Sequence, residues 1–385
     1  MELALSEEQT LIQETARKFS DAELAPIAAS LDSGENREKY LANLNHMADL
    51  GLMGLNVSDE YGGTDAGVVA FSVAMTEIAR GCASTAVSMS VTNLVSEVIQ
   101  SIGSDEQKSK YISRLCDGTY PAGSFCLSEA GAGSDPSSVQ TKAVKDGDEW
   151  ILNGTKMWIS SAEFAGLFVV WAVTDPKAPK GKGITCFLVE RETPGLSVGP
   201  SEKKLGQRAS PTNPVIFEDC RVPASAILGE LNDGFRIAVA ELTGGRIGIG
   251  SLALGVASAA MDYARQYVTE REQFDTKISD FQGIQWMLAD TYTELEAARL
   301  LLMNAAYLKE NNLPFAKQAS MAKLYATEAA NRACYTAIQL MGGVGYTEEV
   351  PLERYARDVR VTSIYEGTSE IQRVIIAREL LKEIA

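Results

Sequence analysis

Two changes of periodicity divide this chain, from helical to β and back again, and few folds accommodate that order. Ser6-Glu7-Glu8-Gln9 predicts a capping box ahead of Leu11, Ile12, Ala16 and Phe19 at helical spacing. Further helices are predicted over roughly 37–50, 67–79, 84–102 and 105–116, punctuated by Gly51, Gly54, Gly62-Gly63 and Gly103. From about Gly118 the pattern becomes β-rich, with strands predicted over 122–127, 138–144, 150–159, 167–173, 184–190, 196–199 and 214–222. After Val222-Pro223 long amphipathic helices return, over 235–268, 280–311, 315–341 and 368–384, broken at Asn311-Asn312-Leu313-Pro314 and Gly342-Gly343-Val344-Gly345. The expected fold is α+β multidomain: an N-terminal all-α domain (1–117), a middle antiparallel β-barrel or sandwich (118–228) and a C-terminal four-helix bundle (229–385).

Charge and rare residues exclude several function classes. Asp and Glu number 51 against 35 Lys and Arg, a formal charge of −16. So acidic a surface repels phosphate backbones, so nucleic-acid binding is not expected, and an anionic ligand would need a local positive site. Membrane insertion is not expected either. The N-terminus has no basic-then-apolar leader, and the most apolar stretch, 247–261, is interrupted by Gly and Ser and falls short of a span. The six cysteines are scattered, with no C-x-x-C pair, as expected of reduced thiols in a cytoplasmic protein. The single histidine, His46, lies in a polar helical stretch, which removes His-based metal sites and Ser-His-Asp triads. No metal is expected.

Two segments could carry chemistry. Phe125-Cys126-Leu127-Ser128-Glu129-Ala130-Gly131-Ala132-Gly133-Ser134-Asp135-Pro136 is a glycine-dense loop whose backbone N–H groups could approach a flat or phosphorylated ligand. A plain turn explains it equally well. No strand–turn–helix unit surrounds it, since it opens into further β-structure, so it is not a nicotinamide fingerprint. Gly248-Ile249-Gly250 lies inside a predicted helix, where close helix packing is the better reading. In Ile364-Tyr365-Glu366-Gly367-Thr368-Ser369-Glu370, a carboxylate follows an apolar-aromatic pair. A partly buried glutamate suits proton abstraction from a weakly acidic carbon. The competing explanation, a helix N-cap at Thr368 or Ser369, is compatible with it.

Together, and in this α–β–α order, these segments resemble the acyl-CoA dehydrogenase family of flavoproteins along essentially the whole chain. Further support comes from Leu152-Asn153-Gly154-Thr155-Lys156 before Trp158-Ile159-Ser160, Arg271-Glu272-Gln273-Phe274 with Phe281-Gln282, and Gln339-Leu340-Met341-Gly342-Gly343-Val344-Gly345-Tyr346. The short-chain (butyryl-CoA) branch is the most similar. The resemblance implies an FAD enzyme that removes an α-proton from an acyl-CoA thioester and a hydride from its β-carbon, leaving the 2-enoyl-CoA. Glu366 matches the catalytic base, and its N–H would polarise the thioester carbonyl. Phe125, Leu127, Ser128, Gly133, Ser134, Trp158, Ile159 and Ser160 match contacts around the flavin. Arg271, Gln273, Phe274 and Gln282 match contacts reaching a neighbouring subunit's FAD, and Gln339, Gly342, Gly343, Thr368 and Glu370 match further FAD contacts. Ser134, Thr243, Arg246, Tyr365, Glu366 and Gly367 match substrate contacts. A homotetramer and an electron-transfer flavoprotein, or a similar carrier, are implied as partners.

Three departures refine the resemblance. Some branches place the base just before the arginine at 246; Gly245 cannot take a proton, so Glu366 has no rival. Thr243 stands where an aspartate is common in the CoA-binding stretch. Ala86 stands where glutaryl-CoA enzymes carry an arginine, so a neutral acyl chain, branched forms and rings included, is expected unless Arg80 or another charge substitutes. The alternatives within this fold are an enoyl-CoA reductase, an oxidase or a desulfinase, the last disfavoured because it needs no α-proton base. A non-catalytic binding protein is the remaining alternative.

Overall fold

In the computed structural model, which describes residues 4–384, six helices open the chain: α1 (Glu7–Phe19), α2 (Ala28–Asp32), α3 (Arg37–Asp49), α4 (Gly67–Gly81), α5 (Ala83–Ile102) and α6 (Asp105–Cys116). The Ser6 hydroxyl accepts from the Gln9 N–H, and the Gln9 side chain accepts from the Ser6 N–H, so the capping box closes as the sequence requires. His46 packs edge-on against the Phe19 ring at 5.0 Å.

Eight strands follow: β1 (Gly123–Cys126), β2 (Lys142–Asp146), β3 (Glu149–Ser160), β4 (Leu167–Val173), β5 (Ile184–Glu190), β6 (Leu196–Val198), β7 (Thr212–Pro223) and β8 (Ile227–Leu228). They form one sheet in the order β6-β7-β3-β2-β4-β5-β8, with β1 beside β4. The sheet is mixed rather than antiparallel throughout, because β1 and β2 both run parallel to β4. The strand expected over 138–144 begins only at Lys142. A 3₁₀ turn, Pro136–Ser138, comes first, with Pro136 at its start, so the glycine loop does not open directly into β-structure. Period-2 alternation explains why β4 reads as a continuous apolar run. Leu167, Val169 and Trp171 face the core shared with Val95, Val98, Ile112 and Leu115, while Phe168, Val170 and Ala172 face one shared with Leu152, Val215 and Phe217.

The remaining elements are α7 (Gly234–Glu270), a two-stranded ribbon of β9 (Glu272–Gln273) and β10 (Thr276–Lys277), then α8 (Gln282–Glu310), α9 (Ala316–Met341), α10 (Leu352–Arg360) and α11 (Ser369–Lys382). The short helix α10 was not anticipated. Its stripe is carried by only Leu352 and Val359, with Arg354 and Asp358 buried beside them. Helices from both ends of the chain share one hydrophobic cluster, so α4 and α5 pack into the same core as α7, α8 and α9.

Helix α7 overturns one expectation. It is long and apolar enough to cross a membrane, with an 18-residue window of mean hydropathy 1.3, although 83% of that window is buried within the protein. The glycines thought to interrupt it are seats for neighbours. A Cβ at Gly250 would lie 2.5 Å from the Leu302 side chain, and one at Gly255 would lie 2.2 Å from the Thr76 carbonyl oxygen.

Candidate active site

Glu366 occupies a strained turn. After α10 and a 3₁₀ turn (Val361–Ser363), Glu366 has φ +53° and Gly367 φ +87°, two successive left-handed residues. A β-carbon disfavours that conformation, so neighbours must hold it. Gln372, one turn into α11, donates to the carbonyls of both Glu366 (3.1 Å) and Gly367 (2.9 Å). Thr368 caps α11 by accepting from the Ile371 N–H, so the cap and the candidate base coexist within three residues. Ser369 donates to Glu328, and Glu370 points outward in the first turn of α11.

The carboxylate of Glu366 lies over α7. A Cβ at Gly245 would sit 3.0 Å from its Oε2 and 3.7 Å from Leu94 Cδ2, so the bare glycine makes room for the carboxylate. Oε2 is buried and has no hydrogen-bond partner among the described residues. The Glu366 N–H likewise donates to no protein group there. Burial raises the carboxyl to about 7, against the opposing pull of Arg246 and then Lys323. Arg246 is buried on α7, donates to Ser320 at 3.1 Å, and keeps a buried Nε without a partner. A buried acceptor and a buried donor without partners, on two residues whose charges act on each other, are the features of a site for a polar ligand. Tyr365 accepts from Gln207 through its hydroxyl (3.2 Å), and Thr243 turns back to donate to the Val239 carbonyl.

A second group forms on the sheet. One extra residue in β3 opposite β7, between Lys156 and Ile159, makes a bulge that gives Trp158 a φ of +65° and leaves its indole 57% exposed. Ile159 turns inward, and the Ser160 carbonyl accepts from Ser124. The Met157 N–H donates to the Ser128 carbonyl, which joins the bulge to the loop after β1. Phe125 packs on Trp171 with ring centroids 4.2 Å apart. Beneath this loop lies an ion pair that motif reasoning did not assign. Lys156, fully buried, donates to the Leu127 carbonyl (3.1 Å) and to Glu129 (2.8 Å). Glu129 also accepts from the N–H groups of Gln140 and Thr141 and from the Thr141 hydroxyl. Burial alone would raise Glu129, but the Lys156 charge and the Thr141 bonds hold it below the ordinary carboxylate range. Glu129 and Ala132 exchange backbone hydrogen bonds, so the glycine segment is a tight turn whose exposed Gly133 and Ser134 remain open to a ligand.

The third group is exposed. Arg271, Gln273, Phe274 and Gln282 lie on and beside the β9–β10 ribbon, where Phe274 and Asp275 form a turn with φ +55° and +60°. Arg271 makes no ion pair among the described residues, and Phe274 is 90% exposed. Gln339, Gly342 and Gly343 lie exposed at the end of α9, where a Cβ on either glycine would meet nothing within 4 Å. Open glycine backbones, an unpaired arginine and an outward indole are a donor set that fits a large phosphorylated aromatic cofactor such as FAD.

Comparison with known proteins accounts for all three segments. Family profiles for the N-terminal, middle and C-terminal domains of acyl-CoA dehydrogenase match residues 6–119, 124–220 and 232–381. The chain is 47% identical over 382 residues to the short-chain specific mitochondrial acyl-CoA dehydrogenase of Rattus norvegicus, covering 98% of this chain and 91% of that protein. It is 43% identical over 387 residues to an acryloyl-CoA reductase (NADH) of Anaerotignum propionicum, covering 99% and 96%. The three-dimensional structure of butyryl-CoA dehydrogenase from Megasphaera elsdenii superposes with a TM-score of 0.95 at 36% identity, covering 99% of this chain and all of that one. Profiles spanning nearly every residue, relatives above 40% identity and a shared architecture leave one conclusion: the chain belongs to the acyl-CoA dehydrogenase family of FAD-dependent oxidoreductases.

Proposed function

We propose that the protein dehydrogenates a short, neutral acyl-CoA thioester to the 2-enoyl-CoA, with Glu366 taking the α-proton. The observation that carries this reading is the partner-free carboxylate of Glu366 poised over Gly245 with its proton affinity raised. A carboxyl near 7 is basic enough to accept a proton from an activated carbon, and about half of it is ionised and ready to do so at neutral pH. The free N–H of Glu366 is available to the thioester oxygen, which supplies the charge stabilisation an enolate needs. FAD, when bound, supplies the hydride acceptor for the β-carbon. Leu127, Ser128, Trp158 and Ser160 would hold its ring system, and Arg246 would hold the substrate arm.

Pocket depth supports a short chain. Three residues along α7 from Gly245, about 4.5 Å of rise, a Cβ at Gly248 would already lie 2.8 Å from Ser90 Oγ and 3.2 Å from the Phe71 ring. Helices α4 and α5 therefore close on α7 within one turn of the base. Arg80, the cation that could meet the distal end of a dicarboxylate, is taken up by Asp262 (2.7 Å) and Glu77. Anaerobic butyryl-CoA is expected to bleach the visible flavin band of the purified holoenzyme, and glutaryl-CoA is not. A flavin that butyryl-CoA leaves oxidised would sink the reading.

A second reading is favoured by the similarity to an acryloyl-CoA reductase along nearly its full length. Glu366 would then return a proton to the α-carbon, the same step reversed. Turnover of acryloyl-CoA with NADH, against turnover of butyryl-CoA with an electron-transfer flavoprotein, distinguishes the two directions.

The assembly belongs to the same proposal. Phe274 and Trp286 (63% exposed) stand beside Arg271 and Gln282 in the chain, and Tyr335 (72%) and Tyr346 (84%) stand beside Gln339, Gly342 and Gly343, and so much exposed aromatic surface calls for a cover. A neighbouring subunit, in a homotetramer, would cover them and receive Arg271 at its FAD. Sedimentation of the holoenzyme is expected to show an oligomer, with Phe274→Asp weakening both assembly and FAD retention. A stable FAD-bound monomer would contradict it.

A further inference from the structure

Helix α9 carries a lysine where its pattern calls for an alanine. Lys323 falls on the buried stripe of Ala319, Ala322, Ala326 and Ala330 and has no exposed surface. Its ammonium makes one hydrogen bond, 2.8 Å to the carbonyl of Gly367, and it belongs to no ion pair among the described residues. A buried ammonium without a carboxylate partner is costly, so its placement calls for a reason. That reason lies one residue away. The Gly367 carbonyl is part of the left-handed turn that presents Glu366, and the uncompensated carboxylate nearby is Glu366 itself.

We propose that Lys323 is a positioning residue for the reaction: it clamps the turn through Gly367 and supplies the buried charge that keeps Glu366 ionised. Two clasps hold this turn, and they differ in kind. Gln372 bonds the carbonyls of Glu366 and Gly367 without charge, while Lys323 bonds Gly367 with one. The charged groups around them are few. From α7 comes Arg246, from α9 Lys323 and Glu328, and from α11 Glu370 and Arg378, with the Tyr365 phenol adjoining Glu366 in sequence. Arg246 and Lys323 are the cations that act on Glu366. Burial lowers Lys323 to about 8, so it is charged over the range in which Glu366 titrates. Removing it leaves Arg246 alone against the desolvation of the carboxylate, which therefore protonates more readily.

This inference rests on Glu366 being the base, and the test separates the two. The pH dependence of kcat/KM for butyryl-CoA is measured on FAD-loaded wild type, Lys323→Gln, Lys323→Arg and Gln372→Leu. Lys323→Gln retains a donor to Gly367 and loses only the charge. Its acid-limb midpoint is expected to rise by about one pH unit, as removal of one nearby opposite charge predicts. Lys323→Arg should restore the wild-type midpoint. Gln372→Leu should lower the rate while leaving the midpoint in place. A Lys323→Gln midpoint equal to wild type overturns the inference, as does an equal displacement in Gln372→Leu. Should Lys323→Gln not retain FAD, the Arg variant decides: a midpoint displaced despite the retained charge overturns the proposal, and an unchanged one upholds it. Wild type that fails to turn over butyryl-CoA indicts the function reading instead.

Discussion

Glu366→Gln is expected to bind FAD as wild type does, and to lose about 10³–10⁴-fold in kcat, the upper range for removal of a general base. Gln fills the same volume over Gly245 and keeps the turn's backbone bonds to Gln372 and Lys323, so the loss isolates the proton-accepting carboxylate. The sign of the pH dependence follows from the raised affinity. Only the ionised carboxylate accepts a proton, so wild-type kcat/KM climbs with pH until about 7 and then levels, whereas the variant is flat there. Stability runs the opposite way. A carboxyl whose folded pKa exceeds its unfolded one contributes fully below about 4.5, and that contribution is lost as pH rises through about 7. The amide escapes this loss, so the variant should melt higher than wild type at pH 8, by at most about 3 kcal/mol, and alike at pH 4. Normal bleaching by butyryl-CoA in the variant, or identical melting differences at both pH values, would refute the assignment.

Lys156→Met has the largest expected effect on folding. It leaves Glu129 buried with its charge facing no cation, which costs about 3–5 kcal/mol when one partner of a buried pair is removed. For a chain of this length that corresponds to a fall in Tm of about 5 °C. The loss is also local, because Lys156 holds the Leu127 carbonyl, and with it the loop proposed to hold the flavin. FAD should therefore dissociate more readily than from a surface variant of equal stability. Pairing the change with Glu129→Leu should recover only part of the loss. The N–H groups of Gln140 and Thr141 lose the acceptor that satisfies them. Calorimetry of the single and double variants checks this, and a Lys156→Met protein melting with wild type would refute it.

The alternation of helical and β segments and the candidacy of Glu366 are legible in the sequence because each has a local signature. Period 3.6 and period 2 are visible over ten residues, and a carboxylate before a glycine and a cap is a short string. Legibility failed where a residue's meaning depends on what lies across the fold. Lys323 looks like the solvated residue of an amphipathic helix until its neighbours four positions either side, Ala319 and Thr327, are seen to be buried too. A charge on an apolar stripe was the available signal. Lys156 closes a short local string, Leu152-Asn153-Gly154-Thr155-Lys156, but its partner is 27 residues distant and on another segment. The parallel pairings of β1 and β2 with β4 are likewise non-local, and alternation within a strand says nothing about the direction of its neighbour.

Helix α7 has a bearing on how such a chain comes to be made. A segment apolar enough for a bilayer must be sequestered soon after it leaves the ribosome, or it becomes a hazard for aggregation and mis-sorting. Its eventual neighbours arrive in two instalments. Helices α4 and α5 are synthesised well before it, while α8 and α9 emerge only later. The early helices can thus serve as a waiting dock for one flank of α7, and the late ones seal the other. Because α4 and α5 precede α7 in the chain, the dock is made ahead of its cargo.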